Sequence, residues 1–438
     1  MARITEGRLT RALVVEAPDP TLDAHLRAAG FTVHRHPGGA PDGATLRRLL
    51  AETRAEVLFK RSRTVVDREA VAGAPELRMV QLCCIGDDSV DKQACADHGV
   101  LVCNDPVSNG RSVVELAVGH LVALSRGLYE TDAACRAGRW EKSDAGRYEV
   151  LGKTLGVLGL GNIGRGVARA AEALGMRVLF HDRREVAVEV GREMGWTPVG
   201  SVVELFRASD AVSVHVSAED EAGRSNAGLL DGGVLEQLGA ERPADGPRVF
   251  LNLARGFLHS AESLRAAVAA GAVRRAAVDV YPEEPAGGEP WVNPYAGLPA
   301  VAVSPHIGAS TREAQPRIAA RVAQTVAAFS AEGTIRDCVW APRARLALDL
   351  DGDARAVLVV LHKPLRGTKR AIDEVLYEAG ASNLASVHRD IEGLDVALDI
   401  AALDRPLPRE ALEGIAARAA RLTGDAGAVR SVRLVPRG

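Results

Sequence analysis

Leu155-Gly156-Val157-Leu158-Gly159-Leu160-Gly161-Asn162-Ile163-Gly164 is the stretch whose reading decides the fold. An apolar run breaks into three glycines and then opens an amphipathic pattern with Val167, Ala170 and Leu174 on one side, which predicts a strand, a tight turn and a helix. Gly159 supplies the turn, Gly161 lets the backbone approach a pyrophosphate, and Gly164 allows helix and strand to pack closely, with the helix N-terminus facing the anion. Gly175 ends the helix, and the next buried run, Met176 to Phe180, delivers Asp182, 21 residues beyond Gly161. An acid at that distance accepts from a ribose hydroxyl, so the spacing points to NAD. Arg183 and Arg184 follow directly and suit the 2′-phosphate of NADP, which stands second.

Outward from this stretch the pattern repeats. Strands are expected at Leu155 to Leu158, Arg177 to Phe180, Ala211 to Val216, Val249 to Leu253, Arg275 to Val280 and Ala300 to Val303, six in all with helices between them. That is one complete doubly wound nucleotide-binding domain. The preceding segment is also α/β, with strands near Ala12, Phe31, Val57, Met79 and Val100. Ser112 and Glu115 read as a capping box for a nearly all-apolar helix through Leu124 that links two domains. After a helix from Arg312 to Phe329 and a linker around residues 336–355, the tail gives strand, helix, strand, strand, helix, strand, a ferredoxin-like unit.

The whole chain has 438 residues, enough for two or three domains, with 47% hydrophobic and 25% charged residues. A formal net charge of −3 and a pI near 6.4 give no general attraction to nucleic acid or to an anionic membrane. No apolar run reaches membrane-spanning length and the start does not read as a signal peptide, so a soluble cytoplasmic protein is expected. The six cysteines are scattered without a CxxC pair, so neither zinc nor a disulfide framework is indicated, and most should be small core residues.

Chemistry-bearing residues gather just past predicted strand ends. Arg255 follows Asn252-Leu253-Ala254, where its fork suits a substrate carboxylate. Glu284 follows Asp279-Val280-Tyr281, and His306 follows Ser304-Pro305. An imidazole with a carboxylate behind it makes an acid/base pair, so the three together suit hydride transfer from a secondary alcohol to NAD. Lys60-Arg61-Ser62-Arg63-Thr64 and Ile85-Gly86-Asp87-Asp88 lie past strand ends of the first segment, the former as a candidate anion site.

Several strings resemble the D-isomer-specific 2-hydroxyacid dehydrogenases. They are Cys84-Ile85-Gly86, Ser108-Asn109-Gly110-Arg111-Ser112-Val113-Val114-Glu115-Leu116, the glycine fingerprint, Asn252 to Gly256, Asp279 to Pro285 and Pro305 to Gln315. The resemblance extends over nearly the whole chain and is greatest to three-domain members with a C-terminal ACT-type domain. It implies a Rossmann NAD domain, residues 111–309, inserted in a flavodoxin-like substrate domain of residues 1–110 and 310–345, with an ACT-like regulatory domain at 355–438. It implies Arg255, Glu284 and His306 as the catalytic set. Cofactor contacts are implied at Gly159, Gly161, Asn162, Ile163, Gly164, Asp182, His215, Val216, Ala254, Asp279, His306 and Gly308, with Asp279 beside the nicotinamide carboxamide. Substrate contacts are implied at Arg61, Ser62, Ile85, Gly86, Asn109, Lys142 and Arg255, where Lys60, Arg61 and Lys142 supply cations for a phosphorylated 2-hydroxy acid.

The same resemblance implies a homodimer or homotetramer and an amino-acid effector at the tail, and no metal site is expected. Asp87-Asp88 replaces the family's more usual Thr-Asn, and His362-Lys363-Pro364-Leu365-Arg366-Gly367 lacks an Asn that the family's effector turn carries. Two other readings stay open: another D-2-hydroxy acid as substrate, and a nucleotide-sensing binding protein without turnover.

Overall fold

A computed structural model of the chain describes residues 2–220, 224–285, 291–341, 345–348, 350, 352–391 and 393–437. Two compact units emerge: Met1–Pro106 with Gln315–Gly438, and Val107–Ala314.

In the second unit seven parallel strands form one sheet, in the order Val301–Val303, Arg275–Val278, Val249–Asn252, Ala211–Val214, Thr154–Leu158, Arg177–His181 and Thr197–Pro198. The order reverses beside Thr154–Leu158, the doubly wound arrangement that places a ligand crevice at the carboxyl ends of the strands. Six of these strands were expected. The seventh, Thr197–Pro198, is a two-residue edge too short to carry an alternating pattern.

One expected cap is corrected. The helix spans Gly110–Ser125 with Asn109 at its N-cap and no side-chain capping bond, so Ser112 lies inside it. Ser112 Oγ instead lies 3.0 Å from Thr311 Oγ1, and Glu115 pairs with Arg111 on the exposed face. Caps that do form follow the expected chemistry, as at Asp42, whose carboxylate accepts from Thr45 N–H at 2.7 Å ahead of Gly43–Thr53.

In the first unit Thr32–Arg35, Arg11–Val14, Val57–Lys60, Met79–Leu82 and Leu101–Cys103 form a five-stranded parallel sheet in that spatial order. The C-terminal segment belongs to the same unit. Its strands Val429–Pro436, Ala356–His362, Val396–Leu403 and Asn383–Ile391 lie side by side in antiparallel pairs, with helices Thr368–Glu378 and Arg409–Thr423 completing βαββαβ. Alternation explains how this sheet serves two cores. Leu358, Val360, Leu403 and Val432 face the two helices, while Val357, Val359, Leu398 and Ile400 join one apolar cluster with Leu9, Phe329 and Trp340.

The segment after Gly333 is not wholly linker, because Ile335–Arg336 pairs antiparallel with Arg345–Leu346. A strand absent from the sequence reading, Arg3–Glu6, pairs parallel with Val429–Pro436 and extends the C-terminal sheet. Four of the six cysteines, Cys83, Cys95, Cys103 and Cys338, are buried, while Cys135 is exposed. Among the described residues no helix is long and apolar enough to cross a membrane.

Candidate active site

The glycine turn takes the conformation its residues demand. Gly159 has φ +88°, and a Cβ there would come within 2.7 Å of the His215 carbonyl oxygen. A Cβ on Gly164 would lie 2.0 Å from the Gly159 carbonyl oxygen, so helix Asn162–Ala173 and the turn approach backbone to backbone. Gly161 differs: no atom lies within 4 Å of where its Cβ would be, and no side chain caps the helix that it begins. Open space in front of an uncapped helix N-terminus fits a dinucleotide pyrophosphate. Ile163 is part-buried against the core in the first turn of that helix.

Asp182 follows strand Arg177–His181. Its Oδ2 accepts from Leu160 N–H at 2.7 Å and from Arg184 Nη2 at 2.6 Å, and its Oδ1 accepts from Arg184 Nε at 2.9 Å. Burial works to raise this carboxyl, but the Arg184 and Leu160 bonds hold it below its ordinary range. Arg183 turns to Asp220 at 3.1 Å, so both arginines of this turn are paired with acids of the chain. Burial pushes the His215 imidazole down to about 3, leaving it neutral at pH 7, with Nε2 2.8 Å from Ser213 Oγ. Val216 packs near Gly159, and Ala254 N–H donates to Asn252 Oδ1 at 3.1 Å.

Three successive strands then deliver the chemistry. Arg255 follows Val249–Asn252, and Asn252 shapes its turn by donating from Nδ2 to the Arg255 carbonyl at 2.9 Å. His306 Nδ1 lies 2.7 Å from Glu284 Oε2 and 3.0 Å from Oε1. The His306 and Glu284 side chains are 45% and 36% exposed, which leaves the pair open to a substrate. The Glu284 bond raises the imidazole above its ordinary value, against burial and the nearby Arg255 charge, which lower it. Burial would raise Glu284, yet His306 and Arg255 hold it below the usual carboxylate range. Arg255 therefore acts on both members of the pair, and the structure brings all three together.

Asp279 sits beneath them, 1% exposed. Its carboxylate accepts from Ser304 Oγ at 2.5 Å, Ile307 N–H at 2.9 Å and Gly308 N–H at 2.8 Å. These bonds fix the loop on which His306 takes φ +54°, a left-handed conformation rare outside glycine. Ser304 and Asn252 were not singled out in the sequence. The signal for Asn252 was a polar side chain at the buried end of an apolar strand, whereas Ser304 follows an exposed strand end and carried no such signal.

Candidate substrate residues divide between the units. In the first, Arg61 and Ser62 follow Val57–Lys60, and Ile85 and Gly86 follow the neighbouring Met79–Leu82, both at carboxyl ends of paired parallel strands. Lys60 departs from expectation as a phosphate cation. It is fully buried, with Nζ donating to Ser89 Oγ at 2.6 Å and the Arg61 carbonyl at 2.8 Å, and burial pushes its ammonium pKa down. Asp87 pairs with Lys92 at 3.6 Å. In the second unit, Asn109 is 5% exposed and its buried Oδ1 has no partner among the described residues. Lys142 is exposed and shares no hydrogen bond or ion pair with Arg255, Glu284 or His306 among the described residues.

The chain is 32% identical over 424 residues to D-3-phosphoglycerate dehydrogenase of Escherichia coli strain K12, covering 95% of this chain and 97% of that one. The chain belongs to the D-isomer-specific 2-hydroxyacid dehydrogenases. The profile of that family's NAD binding domain matches residues 118–308. D-3-phosphoglycerate dehydrogenase of Mycobacterium leprae is 38% identical over 326 residues, 74% of this chain and 58% of that one. Among solved structures, a 2-hydroxyacid dehydrogenase from Ketogulonicigenium vulgare Y25 superposes with a TM-score of 0.58 at 27% identity, covering 75% of this chain and 96% of that one. As a member of this dehydrogenase family the chain is an NAD-dependent oxidoreductase, and the open space at Gly161 with the uncapped helix fits that cofactor.

Proposed function

We propose that this chain oxidises 3-phospho-D-glycerate to 3-phosphohydroxypyruvate with NAD, the first step of L-serine biosynthesis. The observation that carries the reading is the Arg255, Glu284 and His306 group, set on consecutive strand ends of the NAD-binding sheet. Relatives named for this activity align with the chain almost from end to end. Arg255 holds the substrate carboxylate and polarises the oxygen that becomes a carbonyl. His306 Nε2, the nitrogen left open by Glu284, takes the hydroxyl proton, and Glu284 stabilises the imidazolium that forms. NAD, when bound at Gly159, Gly161, Asn162, Ile163, Gly164 and Asp182, supplies the hydride acceptor. His215, Val216, Ala254, Asp279 and Gly308 complete the proposed cofactor contacts. Arg61, Ser62, Ile85, Gly86, Asn109 and Lys142 are the proposed substrate contacts.

Steady-state NADH formation with 3-phospho-D-glycerate against D-glycerate tests the substrate. A kcat/KM at least about 10²-fold higher for the phosphorylated acid is expected, the size of one lost charge-assisted contact set. Equal values would move the assignment to another D-2-hydroxy acid, the reading favoured by the acids at Asp87 and Asp88. Adding L-serine to the same assay tests the ACT-type reading of the C-terminal segment, which its βαββαβ order supports. A cytoplasmic homodimer or homotetramer completes the proposal, on the strength of the family resemblance alone.

The Glu284 to His306 bond sets a pH dependence. His306 must be unprotonated to act as base, so oxidation falls on the acid side of an imidazole pKa raised above 6.5. Glu284→Gln removes the negative charge and lets that pKa fall. The acid limb of the kcat/KM profile then moves to lower pH, and kcat drops by about 10²-fold. A limb that stays in place would detach Glu284 from the proton transfer.

A further inference from the structure

Three adjacent strands of the C-terminal sheet bring two imidazoles and a carboxylate to one point. His388 and Asp399 are direct cross-strand partners, and His362 lies on the strand flanking Asp399 from the other side. Asp399 Oδ2 is 2.7 Å from His362 Nε2 and 3.1 Å from His388 Nδ1, and the three atoms lie within 4.8 Å of one another. Side-chain exposures are 2% for His362, 4% for Asp399 and 40% for His388. Among the described residues no other group of three histidine, cysteine or acidic side chains converges in this way.

The donor inventory of this cluster does not close on neutral rings. His362 Nδ1 faces the Lys363 carbonyl oxygen at 2.6 Å while its Nε2 faces Asp399. His388 Nε2 faces Asp390 Oδ1 at 3.1 Å while its Nδ1 faces the same Asp399 oxygen. Each imidazole thus meets an acceptor at both nitrogens, and a neutral ring carries one N–H. One cation at the shared vertex resolves both rings at once. His362 Nδ1–H donates to the Lys363 carbonyl, His388 Nε2–H donates to Asp390, and the two remaining lone pairs meet the ion beside Asp399 Oδ2. A histidine ligand whose second nitrogen donates to a carbonyl or carboxylate is the usual outer shell of a metal site. The other carboxylate oxygen, Oδ1, is taken by Lys369 Nζ at 2.8 Å, which leaves Asp399 to bind through one atom.

We propose that His362, His388 and Asp399 form a binding site for one divalent transition-metal ion of the zinc class. Two imidazoles and one carboxylate suit zinc and its neighbours over magnesium or calcium, which prefer all-oxygen shells. Zinc bonds of about 2.0–2.1 Å set ligand atoms about 3.3 Å apart in a tetrahedron, so Asp399 Oδ2 draws back by about 0.6 Å from His362 Nε2 and about 0.2 Å from His388 Nδ1, and the two imidazole nitrogens, within 4.8 Å of each other, take up the same spacing. The half-exposed flank of His388, on the outer strand of the sheet, admits water as a fourth ligand. The cluster was invisible in the sequence because its members stand far apart in the chain and meet only through strand pairing.

The test uses the full chain, freed of metal with a chelator and titrated with zinc ion alone against a chromogenic competitor. One ion per chain is expected above the level bound by His388→Gln, whose affinity should be at least about 10²-fold weaker. His388→Gln alters an exposed position and should fold, and its basal dehydrogenase activity should match the parent chain. Zinc should also raise the Tm of the parent chain and not of the variant, with magnesium doing neither. Equal stoichiometry and affinity in parent and variant would overturn the proposal and leave a hydrogen-bonded charge cluster only.

Discussion

His306→Asn is expected to lower kcat for alcohol oxidation by about 10²–10⁴-fold, the range for loss of a positioned general base. That corresponds to about 3–5 kcal/mol of transition-state stabilisation. Asparagine is chosen over alanine because the backbone at residue 306 has φ +54°, a region that asparagine enters readily and alanine does not. Alanine would mix backbone strain with the lost base. The cofactor contacts proposed at the glycine turn and Asp182 lie on other strands of the sheet, so NAD affinity measured by calorimetry should stay near its original value. A rate within tenfold of the parent chain would remove His306 from the chemistry.

Arg255→Gln should reduce kcat/KM by about 10²–10³-fold, since truncating one partner of a desolvated charge pair costs about 2–5 kcal/mol. Both constants should suffer. KM rises because the substrate carboxylate loses its bidentate partner, and kcat falls because the same cation polarises the reacting oxygen. The pH profile separates this from simple misfolding. Arg255 works to lower the His306 pKa, so removing its charge lets the imidazole hold its proton more tightly. The acid limb therefore moves to higher pH, opposite to the shift expected for Glu284→Gln. Limbs moving the same way in both variants would contradict the electrostatic coupling of the three groups.

Much of this was legible in the amino-acid order because the information is local. The glycine turn, the acid of Asp182 and the strand-end positions of Arg255, Glu284 and His306 follow from periodicity and spacing, as do the six elements of the C-terminal segment. What escaped depends on partners distant in the chain. Arg3–Glu6 holds one buried-facing isoleucine and reads as a frayed start until Val429–Pro436 lies beside it. Lys60 was read as a cation for the substrate phosphate because a charge following an apolar run usually turns to solvent, yet Ser89 and a carbonyl draw it inward. Ser112 matched the capping box in composition, but Asn109 begins the helix three residues earlier and Thr311 takes the hydroxyl. Asp279 was read only as a cofactor contact, and nothing in its neighbours announced that it also anchors the loop of His306.

The pairing of Arg3 with Ser431 has a consequence for how the protein is made. Arg3–Glu6 is translated more than four hundred residues ahead of Val429–Pro436 and stays without its partner over that interval. At about 5–20 residues per second the delay is on the order of 20–90 s. The unit formed by Val107–Ala314 is fully synthesised well before then. Closing of the C-terminal sheet by Arg3–Glu6 therefore follows synthesis of that unit and waits on the appearance of Val429–Pro436.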